Sequence, residues 1–278
     1  MHASPPTTPV PGRRTASDLR DRVPAHALMV EAVRHAKDDP DGRIPTGERT
    51  RDDGVHGERL VGAILAHVGP EWLVLHSVPV GAGEADIDHV LVGPPGVVAI
   101  TTLHRPGRSV RVCGRTSMVG GRRVPHLRTA VHEAKRAARL LTTAVGFPVE
   151  AIGVVAVVGA GRIAFASPPD GGDIALHVVT DAELLATLPT GRRYSDAQLD
   201  RIVAAAVLPG TWQRQPSSLV TREDGALLAA EFDALHCAAR RREVAERSRR
   251  VGRGLLAAMA GVAATVAGAW VVQSLLAG

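Results

Sequence analysis

Ile87-Asp88-His89-Val90-Leu91-Val92-Gly93-Pro94-Pro95-Gly96-Val97-Val98-Ala99-Ile100-Thr101-Thr102-Leu103 holds two apolar runs separated by a Pro-Pro-Gly turn. Valine and isoleucine suit a pleated surface, and Pro-Gly sequences favour tight turns. The stretch therefore predicts two strands, Ile87–Val92 and Val97–Thr102, folded back on each other. Both runs are almost continuously apolar, the pattern of central strands covered on both faces. A single carboxylate, Asp88, sits inside the first run.

Working outward, Leu60, Val61, Ile64, Leu65 and Val68 fall at helical spacing and predict a helix over His56–Val68, stopped by Gly69-Pro70. A strand follows at Trp72–Val78. Short strands are expected near Ser109–Cys113 and Ser117–Val119, with Gly120-Gly121 as a hairpin turn. Ala130, Ala134, Ala137, Ala138 and Leu141 form the buried stripe of a long helix over Leu127–Val145. Then come a strand at Ala151–Val158, a loop at Gly159–Asp173 and a strand at Ile174–Val179. Short helices are capped by Asp181 and Ser195. This order indicates an α/β domain built on a mixed sheet.

The chain has 278 residues, 45% apolar but only 3% aromatic, so its core must be mainly Val, Ala, Leu and Ile. Basic charge is nearly all arginine; the lysines are Lys37 and Lys135. An alanine-, arginine-, glycine- and valine-rich composition makes the net charge of +5 a poor argument for nucleic-acid binding. Two distant cysteines, Cys113 and Cys237, without a CxxC pattern argue against a zinc site and a disulfide framework. The phosphate-loop, dinucleotide and nucleophile-elbow motifs GxxxxGK, GxGxxG and GxSxG are all absent.

The organisation expected is a disordered leader over 1–50, a folded domain over 51–215, a charged helical stalk over 216–253 and a transmembrane helix over 254–276. The leader lacks the apolar region of a signal peptide, and a short helix is expected near Ala25–Ala36. In the stalk, Leu228, Phe232, Leu235 and Ala239 line one face, suited to a helix-mediated homo-oligomer or to a solvated stalk. Gly254–Leu276 contains no charged side chain, and at about 1.5 Å per residue it is long enough for a hydrocarbon core of roughly 30 Å. Arg240, Arg241, Arg242, Arg247, Arg249, Arg250 and Arg253 precede it. By the positive-inside rule the expectation is a tail-anchored, single-pass protein of the cell membrane with its domain in the cytoplasm.

From Gly57 to Trp212 the chain resembles the NERD (nuclease-related domain) family of actinobacterial type, within the PD-(D/E)xK nuclease superfamily. The resemblance rests on the Gly57-Glu58 pair, the Ile87-Asp88-His89 strand and the Gly93-Pro94-Pro95-Gly96 turn. It implies a restriction-endonuclease-like fold, with Glu58 and Asp88 as catalytic carboxylates and metal ligands. The family then places an acid-x-Lys motif on the second strand, but here Thr101 and Leu103 stand at those positions.

A Mg²⁺ site uses hard oxygen ligands, and the metal activates water and stabilises the departing oxyanion. Thr101 removes a formal charge, and Leu103 can neither donate nor carry charge. The expectation is a membrane-anchored pseudoenzyme whose degenerate site binds nucleic acid or a partner without efficient cleavage. Two alternatives stand beside it. One is an active Mg²⁺-dependent nuclease in which Glu133 and Lys135 have migrated in from the long helix; the other is a membrane scaffold with no nucleic-acid role. For nucleic-acid contact the candidates are Arg105, Arg108, Arg111 and Lys135. His89 is expected to orient Asp88, and His104 to lie on a surface turn.

Overall fold

The structure, a computed structural model, describes residues 18–38, 46–81, 85–213, 224–242, 244–245 and 247–251. The Asp88 hairpin is at its centre. Strands β1 (Leu73–Pro79), β2 (Asp86–Gly93) and β3 (Gly96–His104) form an antiparallel meander. Gly93 pairs with Gly96 across the two-residue Pro94-Pro95 turn.

Strands β4 (Ser109–Gly114), β5 (Thr116–Val119) and β6 (Arg122–Val124) lead into a long helix, labelled below as α3. Beyond it β7 (Ala151–Val158) runs parallel to β3, and β9 (Leu176–Thr180) runs parallel to β7, giving the main sheet the order β1-β2-β3-β7-β9. Between β7 and β9, β8 (Arg162–Pro169) joins a second sheet of order β6-β5-β4-β8. The fold is thus mixed α/β, as the sequence indicates, but with two sheets instead of one. The expected loop over 159–173 contains β8; its exposed, irregular pattern lacks the apolar periodicity that marks a strand.

Helix α1 (His26–Asp38) and helix α2 (Thr46–Leu65) precede the sheet, and α3 (His126–Val145) crosses from β6 to β7. α3 covers one face of the main sheet: Ala134, Ala137 and Leu141 pack on Val90, Val92, Val97 and Ala99. α2 covers the other: Val61 and Leu65 pack on Leu91, Val98 and Ile100. This double cover explains the unbroken apolar runs of β2 and β3. Short helices α4 (Leu184–Thr187), α5 (Asp196–Ala206) and α6 (Pro209–Trp212) complete the domain, with Ile202 and Trp212 buried in the α3-side core.

Two segments outside the expected domain pack against it, and the short helix expected near Ala25–Ala36 is present as α1. Residues 18–38, assigned to the leader, hold α1 and a short turn whose Leu19 is buried in the main core. Residues 224–242 are helical, and Phe232 packs with Met29 and Val33 of α1 and Val55 of α2. Part of the stalk's apolar row therefore covers this chain's own helices. The 254–276 span lies outside the described residues; no described helix is long and apolar enough to cross a membrane.

Candidate active site

Asp88 faces the α3 side of the sheet, because it alternates with His89 and shares a face with Val90 and Val92. Its carboxylate accepts the Thr102 N–H at 2.6 Å, binding the two strands together where β2 begins and β3 runs on beside β7. Thr101 points to the same side. There its hydroxyl donates to the Glu133 carboxylate of α3 at 2.6 Å. A carboxylate from the neighbouring helix thus stands beside Thr101. Leu103, two residues on, is sealed among Val110, Leu127 and Val155.

Glu58 enters from α2. Its helix can lie close to β3 because residue 57 is glycine: a Cβ there would meet His104 Cβ at 2.5 Å and Thr102 Cγ2 at 3.1 Å. The Gly57-Glu58 pair therefore works as a unit, the glycine setting the approach and the glutamate using it. Glu58 is only 6% exposed; one oxygen accepts the Ala25 N–H, while Oε2 is buried with no hydrogen-bond partner. Such an orphaned acceptor is costly.

A fourth carboxylate, Asp86, belongs to the same group and escapes a motif-based reading because it opens the strand ahead of the apolar run. Ser77 falls opposite Asp88 in the β1–β2 register and gives Asp86 a side-chain hydrogen bond. Ser77 also accepts the His26 N–H at 2.8 Å. Ser77 (φ 45°) and Ala25 (φ 61°) are the non-glycine residues with positive φ among the described residues, and both touch this acid group. Such backbone conformations concentrate at functional sites.

The four carboxyls are pushed toward their neutral forms. Burial, then the charge of Asp86, raises Asp88 to about 7. Burial and Asp88 raise Glu133 to about 9. Burial raises Asp86 to about 6, against the pull of Arg22. Glu58 is raised well above the usual carboxylate range by burial and then by Asp88, Asp86 and Glu133. Mutual repulsion in a poorly solvated recess is what a cation would relieve.

The donor set suits a hard cation. All four groups offer oxygen, one of them orphaned, and Mg²⁺ is commonly held by one or two carboxylates with water completing its shell. Among the described residues no group of three or more such side chains is already gathered around one point. Glu58, with its orphaned oxygen, and Asp88 are the carboxylates that would hold such a cation.

Residues 53–158 match the family model of NERD, the nuclease-related domain. The match begins in α2 and ends with β7, so it contains Glu58, Asp88, Thr101, Leu103 and Glu133. No curated protein and no solved structure matches the chain.

Around the NERD segment the other expectations divide. Lys135 does not reach the acids: it turns outward to an ion pair with Asp173 on the opposite side of α3 from Glu133. His89 does not orient Asp88; its Nδ1 meets His76 Nδ1 at 2.8 Å, and burial holds both imidazoles neutral, His76 at about 4. One ring donates and the other accepts. His104 is buried, not on a surface turn, and its Nδ1 lies 2.9 Å from the Asp53 carbonyl. Arg105 is half-buried and donates to the His104 carbonyl. Arg108, in the turn before β4, and Arg111, on β4, are exposed. Arg111, Met118 and Arg123 align across β4, β5 and β6 and so share one face.

Proposed function

We propose that this protein is a metal-dependent phosphodiester nuclease whose second acid comes from α3. The observation that carries this reading is the Thr101–Glu133 hydrogen bond, which sets a carboxylate beside Asp88 at the position where β3 has lost its own. Glu58 and Asp88 would hold the metal; Glu133, oriented by Thr101 and ionised once a bound cation offsets the neighbouring carboxylates, would take a proton from the attacking water. A divalent ion bound there supplies Lewis-acid stabilisation of the phosphate and lowers the pKa of water. Arg111 and Arg123, exposed on one sheet face, supply positive charge for a nucleic-acid backbone. The apolar 254–276 segment, preceded by its arginine cluster, would tether the domain at the cytoplasmic side of the cell membrane.

A binding-only site is the second reading, and Leu103 favours it: this position is 1% exposed and surrounded by hydrocarbon. The two separate in one comparison. The nuclease reading expects Mg²⁺- or Mn²⁺-dependent cleavage by the parent chain, abolished by Asp88→Ala. The binding-only reading expects cleavage only after Thr101→Glu and Leu103→Lys are introduced together.

A further inference from the structure

The acid recess has four carboxyls, and the lysine expected beside them in the NERD-matching segment is missing. Lys135 is turned away, and position 103 is leucine. Arg22, upstream of that segment, is a positive charge that acts on the group, pulling on Asp86. Its position is built, not incidental. Leu19 is anchored in the main core, and its N–H donates to the Val207 carbonyl at 3.0 Å. Three residues beyond Arg22, Ala25 is fully buried and gives its N–H to Glu58. His26 N–H then donates to Ser77, the residue that also serves Asp86.

Between these points Pro24 lies against α2 so closely that a Cβ on Gly62 would meet Pro24 Cγ at 2.3 Å. Residues 19–26 therefore form a strap fixed along the edge of the recess. Within it the Arg22 Nε–H is buried and has no acceptor, just as Glu58 Oε2 is buried and has no donor. A guanidinium with an unused, buried donor beside an acid group lacks one thing, an anion.

We propose that Arg22 is the phosphate-holding residue of this recess, its guanidinium gripping the non-bridging oxygens of the scissile phosphate while Glu58 and Asp88 hold the metal. The inference rests on the nuclease reading of the site and adds its missing cation, drawn from a segment upstream of the family match. Arginine suits this place better than lysine, since its planar fork engages two phosphate oxygens and stays charged despite partial burial.

The test is a titration of the full chain in detergent with inorganic phosphate in the presence of Mg²⁺, following the arginine Nε–H resonances by NMR. The Arg22 signal, assigned by its loss in Arg22→Gln, should move and saturate. Arg22→Gln should weaken phosphate binding at least ~10-fold, and Arg22→Lys should keep part of it. Phosphate binding that leaves the Arg22 Nε–H unmoved, equal binding by Arg22→Gln, or no binding by the parent would each overturn the proposal. Cleavage assays on the same samples separate the two readings. Asp88-dependent cleavage that survives unchanged in Arg22→Gln removes Arg22 alone. Phosphate binding at Arg22 without any cleavage removes the nuclease reading alone.

Discussion

In the proposed nuclease, the 2.6 Å bond from Thr101 to Glu133 would turn an apparent gap into a relocated acid. A threonine cannot replace a carboxylate as a ligand, but it can hold one that arrives from elsewhere. Glu133→Gln keeps the shape and removes the charge; the expected result is a fall in single-turnover cleavage on the order of 10²-fold, the size seen for loss of one positioned polar group. Lys135→Ala, on the outer side of the same helix, should change the rate by less than about two-fold, since its partner Asp173 is exposed. Proton competition adds a pH signature. Asp88 titrates at about 7 in the absence of metal. Below that value a metal must displace its proton, so metal affinity, measured by Mn²⁺ titration, should climb as pH rises from 6 to 8.

Single residues act here through the elements that present them. Gly57 has no motif value of its own beyond the close seat it gives α2 against His104 and Thr102. Gly57→Val should lower the melting temperature, with a cost of about 1–3 kcal/mol for overpacking a dense contact, and should disable the site by moving Glu58. Thermal unfolding followed beside cleavage would show both losses together. At this scale the sequence is most legible where one periodicity dominates. β2, β3, β7 and α3 are readable from apolar runs and an alanine stripe because burial on both sides leaves no competing pattern. β8 is not readable: most of its residues are exposed or half-exposed, and only pairing with β4 makes it a strand. Arg22 and Ala25 are invisible for another reason. They meet Asp86 and Glu58 only through the strap, and no local spacing encodes such a meeting. Glu133 is legible as a candidate, whereas Lys135 misleads, since two residues apart on a helix means opposing sides.

For the molecule as a whole, opposing groups of buried titratable residues set stability. Burial keeps His26, His76 and His126 at about 4, so each is neutral when folded and binds a proton more readily when unfolded. Their contribution is complete above about pH 6.5 and is lost as pH falls from there toward 4. Asp88 and Glu133, at about 7 and 9, bind protons more tightly when folded. The metal-free protein should therefore lose stability as pH rises through neutrality, since the unfolded chain gives up those protons first. Chemical denaturation at a series of pH values should show the stability of the metal-free protein falling between about pH 7 and 9, and Mg²⁺ should reduce that fall. The proposed membrane tether is tested separately: the parent chain should sediment with membranes and resist extraction by salt, whereas removal of 254–276 should release it. Most directly, the central claim that the acid group is a working site rests on single-turnover cleavage of DNA and RNA by the full chain in detergent with Mg²⁺ or Mn²⁺. The account predicts metal-dependent cleavage that Asp88→Ala abolishes and Glu133→Gln weakens on the order of 10²-fold. Absence of metal-dependent cleavage, or cleavage indifferent to Asp88→Ala, would contradict it.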